Sequence, residues 1–428
     1  MKKNTVLVVG SGAREHALGW KLRQSSQVGK IYFAPGTTGT ALVGENTGID
    51  ALDIDSLVQF ALKNRIDLTI AGPDDALAAG VVNAFQEKGL TIFGPTREAA
   101  QIESSKAFTK QLLSEEGIPT AQYKTFTNVT RARNYLKKQQ LPIVIKASGL
   151  ALGKGVIIAN SLEEAEKAID DMMVHKIFGQ AGEEIVIEEF LQGKEVSIHA
   201  FSDGSGVALF PPSRDHKQIF EGNHGPNTGG MGTIAPVAEI TAEELEKIAK
   251  TIVLPVIRGL KKRGIPFTGC LYPGLMMTKD GPKVIEINSR FGDPEMESYM
   301  RLLDSDLFEI LLASARGELS EVPISWSKKS ACCIVLASAG YPGAYEKGEE
   351  IVGLDTVPKD VVVFHFATKE IGGKIVTNGG RVLGITAVGS TLAEALEKAY
   401  EAIGEKGIHF PGMQYRRDIG VILGFEAI

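Results

Sequence analysis

Lys283-Val284-Ile285-Glu286-Ile287-Asn288-Ser289-Arg290-Phe291-Gly292-Asp293-Pro294-Glu295 is the stretch on which the reading of this chain turns. It opens as an alternating run, and in a strand residues two apart share a face. Val284, Glu286 and Asn288 are therefore expected on one side, with Ile285 and Ile287 toward the core. A carboxylate beside an amide oxygen suits Mg²⁺, which takes hard oxygen ligands and keeps positions for water or phosphate. Arg290 follows on the same face if the strand persists. Taken alone, the stretch also reads as a half-buried strand with a polar solvent face.

Working outward, the hairpin partner of this strand is expected over 267–277, across Lys279-Asp280-Gly281-Pro282. Upstream, Lys146-Ala147-Ser148-Gly149-Leu150-Ala151-Leu152-Gly153-Lys154-Gly155-Val156 fails the Walker A spacing, and Gly155 stands where Ser or Thr would bind metal. It reads as a glycine flap between two strands, able to close over phosphates with Lys146 and Lys154 supplying charge. A lysine ending a strand also commonly runs out to solvent. Strands are expected over 123–126, 143–146 and 185–191, with helices over 104–116, 131–139 and from the capping box Ser161–Glu164. Past the strand end at Glu188-Glu189-Phe190-Leu191, backbone groups could meet an adenine ring and Glu195 its ribose. Gly225–Gly232 has four glycines in eight residues, a loop against ligand rather than a packed element.

Residues 4 to about 95, within an N-terminal domain expected over 1–103, alternate in type. Apolar runs at 6–9, 31–34, 68–71 and 91–93 read as buried parallel strands, with helices over 15–25, 56–64 and 77–88. This is a βαβ series and predicts a doubly wound sheet. Its first turn, Gly10-Ser11-Gly12-Ala13-Arg14-Glu15, lacks the third glycine and the ribose acid of a nicotinamide site. It remains either an anion site at a helix N-terminus or a tight turn with a surface arginine. Asp74 and Asp75 follow the third strand, placed to meet a substrate or else solvated. After about residue 326 the pattern becomes a small α+β domain, 327–428. Strands are expected over 332–338 and 361–367, and over 374–377 and 381–387 around the turn Asn378-Gly379-Gly380.

The chain has 428 residues, enough for two to four domains, with 43% hydrophobic and 23% charged residues. A net charge of −6 argues against a nucleic-acid coat. Cys270, Cys332 and Cys333 offer neither a spaced zinc pair nor a bridge, which fits a reducing compartment. The apolar run at 6–9 is too short for a signal peptide, and no stretch reaches the length of a membrane span. A cytoplasmic protein without membrane or nucleic-acid partners is expected.

The flap, the Glu-Glu-Phe-Leu segment and the Glu286/Asn288 strand occur in the order of an ATP-grasp enzyme. Gly12-Ala13-Arg14-Glu15-His16-Ala17-Leu18, Ser105-Lys106, Asp215-His216-Lys217, Gly225–Gly232, Arg290–Glu295 and Thr377-Asn378-Gly379-Gly380-Arg381-Val382 resemble the phosphoribosylamine–glycine ligase family over essentially the whole chain. The resemblance implies an ATP-grasp fold over 104–326 with a mobile lid at about 122–190. A Rossmann-like domain would precede it and an α+β domain follow it. It implies ligation of glycine to 5-phosphoribosylamine through a glycyl phosphate, with ATP and Mg²⁺ or Mn²⁺, by a monomer acting on small molecules. Lys106, Lys146, Gly153, Lys154 and Gly155 would hold the ATP phosphates. Glu188, Glu189, Phe190, Leu191 and Glu195 would hold the nucleoside, and Glu286 and Asn288 the metal. Arg290 with Lys146 would be catalytic. Gly12, Arg14, Glu15, Asp293, Gly379, Gly380 and Arg381 would surround the phosphoribosylamine, and Gly229, Gly230 and Met231 the glycine. Departures from the family pattern are Ala13, Asp74, Ser148, Gln218, Pro273 and Met296-Glu297. Glu297 would add negative charge beside the metal strand. They leave open a ligase with another small carboxylate or amine, or a catalytically dead nucleotide-binding regulator.

Overall fold

The computed structural model describes residues 3–151 and 155–421, so Gly153 and Lys154 of the flap lie outside the described residues. The N-terminal sheet is parallel, in the order Glu45–Asn46, Val28–Pro35, Asn4–Gly10, Leu68–Ala71, Ile92–Phe93. Its central strand buries Val6 to Val9 completely, as expected for a strand covered on both faces. The edge strand Glu45–Asn46 is two exposed residues long and leaves no apolar run to read. The helix expected over 77–88 is two, Asp74–Ala79 and Val81–Glu87, separated at Gly80.

An antiparallel sheet follows, in the order Tyr123–Phe126, Ile185–Glu189, Ile143–Ala147, Val156–Ala159. Helices Val129–Leu136 and Leu162–Ile169, capped by Asn128 and Ser161, bury their apolar sides against it. A second sheet carries the hairpin Thr268–Thr278 and Gly281–Asn288, the first of these strands also pairing Lys194–Ser197 and Ala200–Asp203.

The hairpin overturns one expectation. Gly274 pairs with Glu286 but Leu275 pairs with Val284, so Ile285 is the extra residue of a β-bulge. The bulge resets the alternation. Val284 and Ile287 enter the core, whereas Ile285 turns to the cleft and offers its carbonyl to Lys146 Nζ at 3.0 Å.

A third sheet runs Arg214–Asp215, Gly232–Ala235, Ser330–Ala337, Arg381–Gly389, Val361–His365. Its first two strands come from before residue 326, so the boundary drawn there crosses a continuous sheet, with Thr233 opposite Cys333. Nor do 374–377 and 381–387 form a hairpin. Lys374–Thr377 pairs with Thr368–Ile371 across Gly372-Gly373, both at positive φ as a two-residue hairpin turn requires. Asn378-Gly379-Gly380 instead carries the chain from that ribbon into the large sheet.

Candidate functional site

A cavity of about 310 Å³ lies between the sheet that contains Ile143–Ala147 and the hairpin, and extends toward the N-terminal sheet. Its walls differ in chemistry from end to end.

At one end are lysines. Lys106 opens the helix Lys106–Glu115, and Lys110 follows one turn later on the same side. Lys146 arrives from the strand Ile143–Ala147. Glu188 pairs with both Lys110 and Lys146, all three side chains being only 4–5% exposed. Burial opposes the Glu188 carboxylate, but Lys146 and Lys110 outweigh it and hold its pKa below the usual range. Glu188 thus turns to the lysines, while Glu189, Phe190 and Leu191 continue along the wall. Lys110 also donates to Thr120 Oγ1 at 2.7 Å, and that hydroxyl donates to the Val284 carbonyl, tying the helix to the bulged strand.

Ser148 has a local role. Its carbonyl accepts from Lys106 N at 2.8 Å and its Oγ from Ala107 N at 3.1 Å, while Ser105 Oγ accepts from Phe108 N. The first three N–H groups of the lysine helix are thereby satisfied, two of them from the end of the lid strand.

In the middle, Glu286 and Asn288 both face the cavity. Lys217 holds the Glu286 carboxyl down to about 2, against burial and with help from Lys146, Lys106 and Arg290. Lys217 Nζ lies 3.6 Å from Glu286 and 3.0 Å from Glu195. An ionised carboxylate and an amide oxygen are the hard donors a divalent ion needs. Among the described residues no group of three or more His, Cys, Asp or Glu side chains is arranged to hold a metal ion. Arg290 Nη2 stands 3.5 Å from Asn288 Oδ1 and 3.1 Å from Glu103, with Nη1 on the Phe291 carbonyl. Asp74 lines this part of the cavity; exposed Asp75 only accepts from the Ala76 N–H.

The far end is acidic. Asp293 Oδ1 pairs with Arg381 Nη2 at 2.8 Å, and Arg381 Nη1 donates to the Gly229 and Asp293 carbonyls at 2.6 and 3.1 Å. A side chain at Gly229 would strike that guanidinium, so the loop needs glycine for this approach. Gly230 O is a longer acceptor at 3.4 Å, and Gly12 stands across from Asp293 Oδ2. Arg14 reaches the Phe291 carbonyl at 3.5 Å and pairs with Glu15. The helix N-terminus read as an anion site is self-capped: Glu15 Oε2 accepts from Gly12 N at 2.6 Å. Met231 is wholly buried beside Ile219, Ala337 and Tyr341 instead of facing ligand. Gly380 packs on the Tyr341 ring and Gly379 accepts from Ser338, so both act behind the wall.

Asp215-His216-Lys217 shows no sign of its work in local sequence. Lys217 and Asp215 line the cavity between the strand of Glu286 and Asn288 and the glycine loop. His216 is buried between them and the C-terminal segment. Gly420 N donates to its Nε2, so Nδ1 carries the proton and donates to the Gly232 carbonyl. Burial lowers its pKa to about 4. Lys110 and Glu103 were also missed. The four-residue spacing from Lys106 signalled Lys110, whereas nothing in the sequence marked Glu103.

Lysines from two walls beside an acid–amide pair on a hairpin define an ATP-grasp enzyme. Models of the phosphoribosylglycinamide synthetase N domain, ATP-grasp (A) domain and C domain match residues 4–103, 104–296 and 331–422. The chain belongs to the phosphoribosylglycinamide synthetase family. It is 50% identical over 419 residues to a phosphoribosylamine–glycine ligase of Vibrio vulnificus, covering 97% of each chain. Among solved structures it resembles the phosphoribosylamine–glycine ligase of Thermotoga maritima, with TM-score 0.84, 35% identity, and 97% and 100% coverage. It shares the fold of the biotin carboxylase domain of Hydrogenobacter thermophilus 2-oxoglutarate carboxylase, at TM-score 0.74 and 16% identity over 97% and 92% of the chains.

Proposed function

We propose that this chain joins glycine to 5-phosphoribosylamine, converting ATP to ADP and phosphate, in purine biosynthesis. The observation that carries the reading is the continuity of one cavity, from the phosphate lysines past Glu286 and Asn288 to Asp293. A carboxylate is a poor electrophile, so one glycine oxygen first attacks the γ-phosphorus and ADP leaves. The amine then attacks the acyl carbon of glycyl phosphate, phosphate departs with that oxygen, and the ammonium proton is released. Lys106 and Lys146 bind the phosphates. Arg290 neutralises charge on the phosphoryl group in transfer, and Lys217 holds Glu195 and Glu286 in register. Mg²⁺ or Mn²⁺ bound by Glu286 and Asn288 would supply further charge stabilisation on the phosphate oxygens. Closure of the lid would exclude water from the acyl phosphate.

Asp293, Arg381, Gly229 and Gly12 form the acceptor corner in this reading, with Arg14 reaching in from the N-terminal domain. The enzyme acts on small molecules as a cytoplasmic monomer; its three cysteines are free and buried, in keeping with a reducing compartment. Among the described residues no helix is long and apolar enough to cross a membrane. Glycine labelled with ¹⁸O in its carboxylate provides the test. One label per turnover in the released phosphate is expected, and unlabelled phosphate would overturn the acyl-phosphate route.

A further inference from the structure

Glu103 is an acid in the wrong place by local rules. It stands in the last turn of the helix Arg97–Ser104, where the dipole disfavours negative charge, and its side chain is 8% exposed. Asp74, on the same wall of the cleft, repels it further. An unfavourable charge held there calls for a compensating partner, and such local conflicts concentrate at functional sites.

The partners are specific. Glu103 Oε2 accepts from both Ser289 N and Ser289 Oγ, at 2.8 and 2.9 Å. Glu103 Oε1 pairs with Arg290 Nη2 at 3.1 Å. Residues 186 apart in sequence are thereby joined, one from the N-terminal side of the cleft and one directly after the metal ligand Asn288. Arg290 completes its fork on the Phe291 carbonyl at 3.1 Å, and the same oxygen accepts from Arg14 at 3.5 Å. A continuous set of contacts therefore runs from Glu103 through Arg290 to the acceptor side.

We propose that Glu103 is a positioning residue for phosphoryl transfer, fixing the Arg290 guanidinium and the backbone after Asn288 in one geometry. This rests on the reading of Arg290 given above. A guanidinium on a long flexible stem acts on a transferring phosphoryl group only where its plane is held, and a carboxylate facing the fork holds it. The contact through Phe291 places the same guanidinium under the influence of Arg14.

The test uses the full chain with ATP, glycine and phosphoribosylamine. Glu103→Gln is expected to lower kcat about 10²-fold, the scale on which a displaced catalytic group costs rate, with KM for ATP changed less than about threefold. Arg290→Ala should lose more, and added guanidinium should restore part of the loss. In the double variant Glu103→Gln/Arg290→Ala, no further loss and no guanidinium rescue are expected, because the added ion needs the carboxylate to seat it. A merely structural Glu103 would leave rescue intact and make the two losses multiply; either result overturns the proposal. An Arg290→Ala enzyme with undiminished kcat would instead refute the role of Arg290 itself. If Glu103→Gln melts below assay temperature, Glu103→Asp keeps the charge on a shorter arm. An intermediate loss of kcat, with rescue of Arg290→Ala retained in part, is then expected, and wild-type kcat would overturn the proposal.

Discussion

The two ends of the cleft solve opposite electrostatic problems. At the nucleotide end most cations have a fixed anion: Lys110 and Lys146 share Glu188, Lys217 spans Glu195 and Glu286, and Arg290 has Glu103, while Lys106 rests on the Gly149 carbonyl. At the acceptor end carboxyls outnumber cations. Asp215, Asp293, Glu295 and Glu297 cluster around Arg381, and Asp215 Oδ1 and both oxygens of Glu297 meet no protein donor among the described residues. Burial pushes the Asp215 and Glu297 carboxyls well above the carboxylate range, with Glu295 reinforcing the first and Asp293 the second. The first arrangement holds cations in fixed positions, where the proposed reaction needs them for phosphate. The second gathers buried carboxyls, pushed toward their neutral form, around a single guanidinium.

The largest effect should come from the junction of the two ends. Glu286→Ala is expected to lower kcat more than about 10³-fold through loss of the metal, with the melting temperature held by Val284 and Ile287 in the core. Loss of cooperative melting would show Glu286 to be structural. At the nucleotide end, Lys217→Met should reduce kcat/KM for ATP about 10²-fold while leaving KM for phosphoribosylamine within about twofold. Equal rises in both KM values would erase the distinction between the ends. At the acceptor end, Asp293→Asn weakens the hold on Arg381, so KM for phosphoribosylamine should rise about tenfold with KM for ATP unchanged.

Behind the acceptor loop, His216 is held neutral with pKa near 4, as are His16 near 3 and His365 near 4. An unfolded histidine gains its proton near pH 6.5, and these do so only lower. Stability should therefore fall as pH drops from about 6.5 toward 4, by up to about 1.4 kcal/mol per pH unit for each histidine. Chemical denaturation across that range measures the slope, and a flat profile would mean that the rings are hydrated.

The smallest effect is expected at Glu297. Its complete burial keeps the proton on the carboxyl, so it presents no negative charge to an anionic substrate, contrary to the expectation from sequence. Glu297→Gln should change KM for glycine less than about twofold. The unfolded carboxyl ionises near 4.5 while the folded one resists, so the wild type loses stability as pH rises above that value; the Gln variant should be the more stable of the two at pH 8. A large shift in KM for glycine would restore the case for another carboxylate substrate.

The parts of this molecule that were legible in sequence carry their reason locally. The parallel N-terminal sheet announces itself through Val6 to Val9, and Glu286 with Asn288 through a two-residue period. What escaped depends on partners far along the chain. The bulge at Ile285 is set by pairing with Gly274 and Leu275, and it reverses the faces of Val284 and Ile285. The third sheet takes Gly232–Ala235 from one segment and Ser330–Ala337 from another, so no composition shift at 326 could reveal it. Glu103 looks like any helical surface acid until Ser289 and Arg290 are folded onto it, and Met231 like a loop residue until Tyr341 covers it. Ser148 looks like a departure from the family pattern, but its hydroxyl and carbonyl cap the lysine helix.

ADP release by the purified chain with Mg²⁺ and ATP, measured with glycine and phosphoribosylamine together and with each withheld, bears most directly on the joined cleft. Turnover is expected only when both are present. Equal turnover with another carboxylate or amine, or ADP release that ignores the acceptor, would contradict the assignment of the two ends.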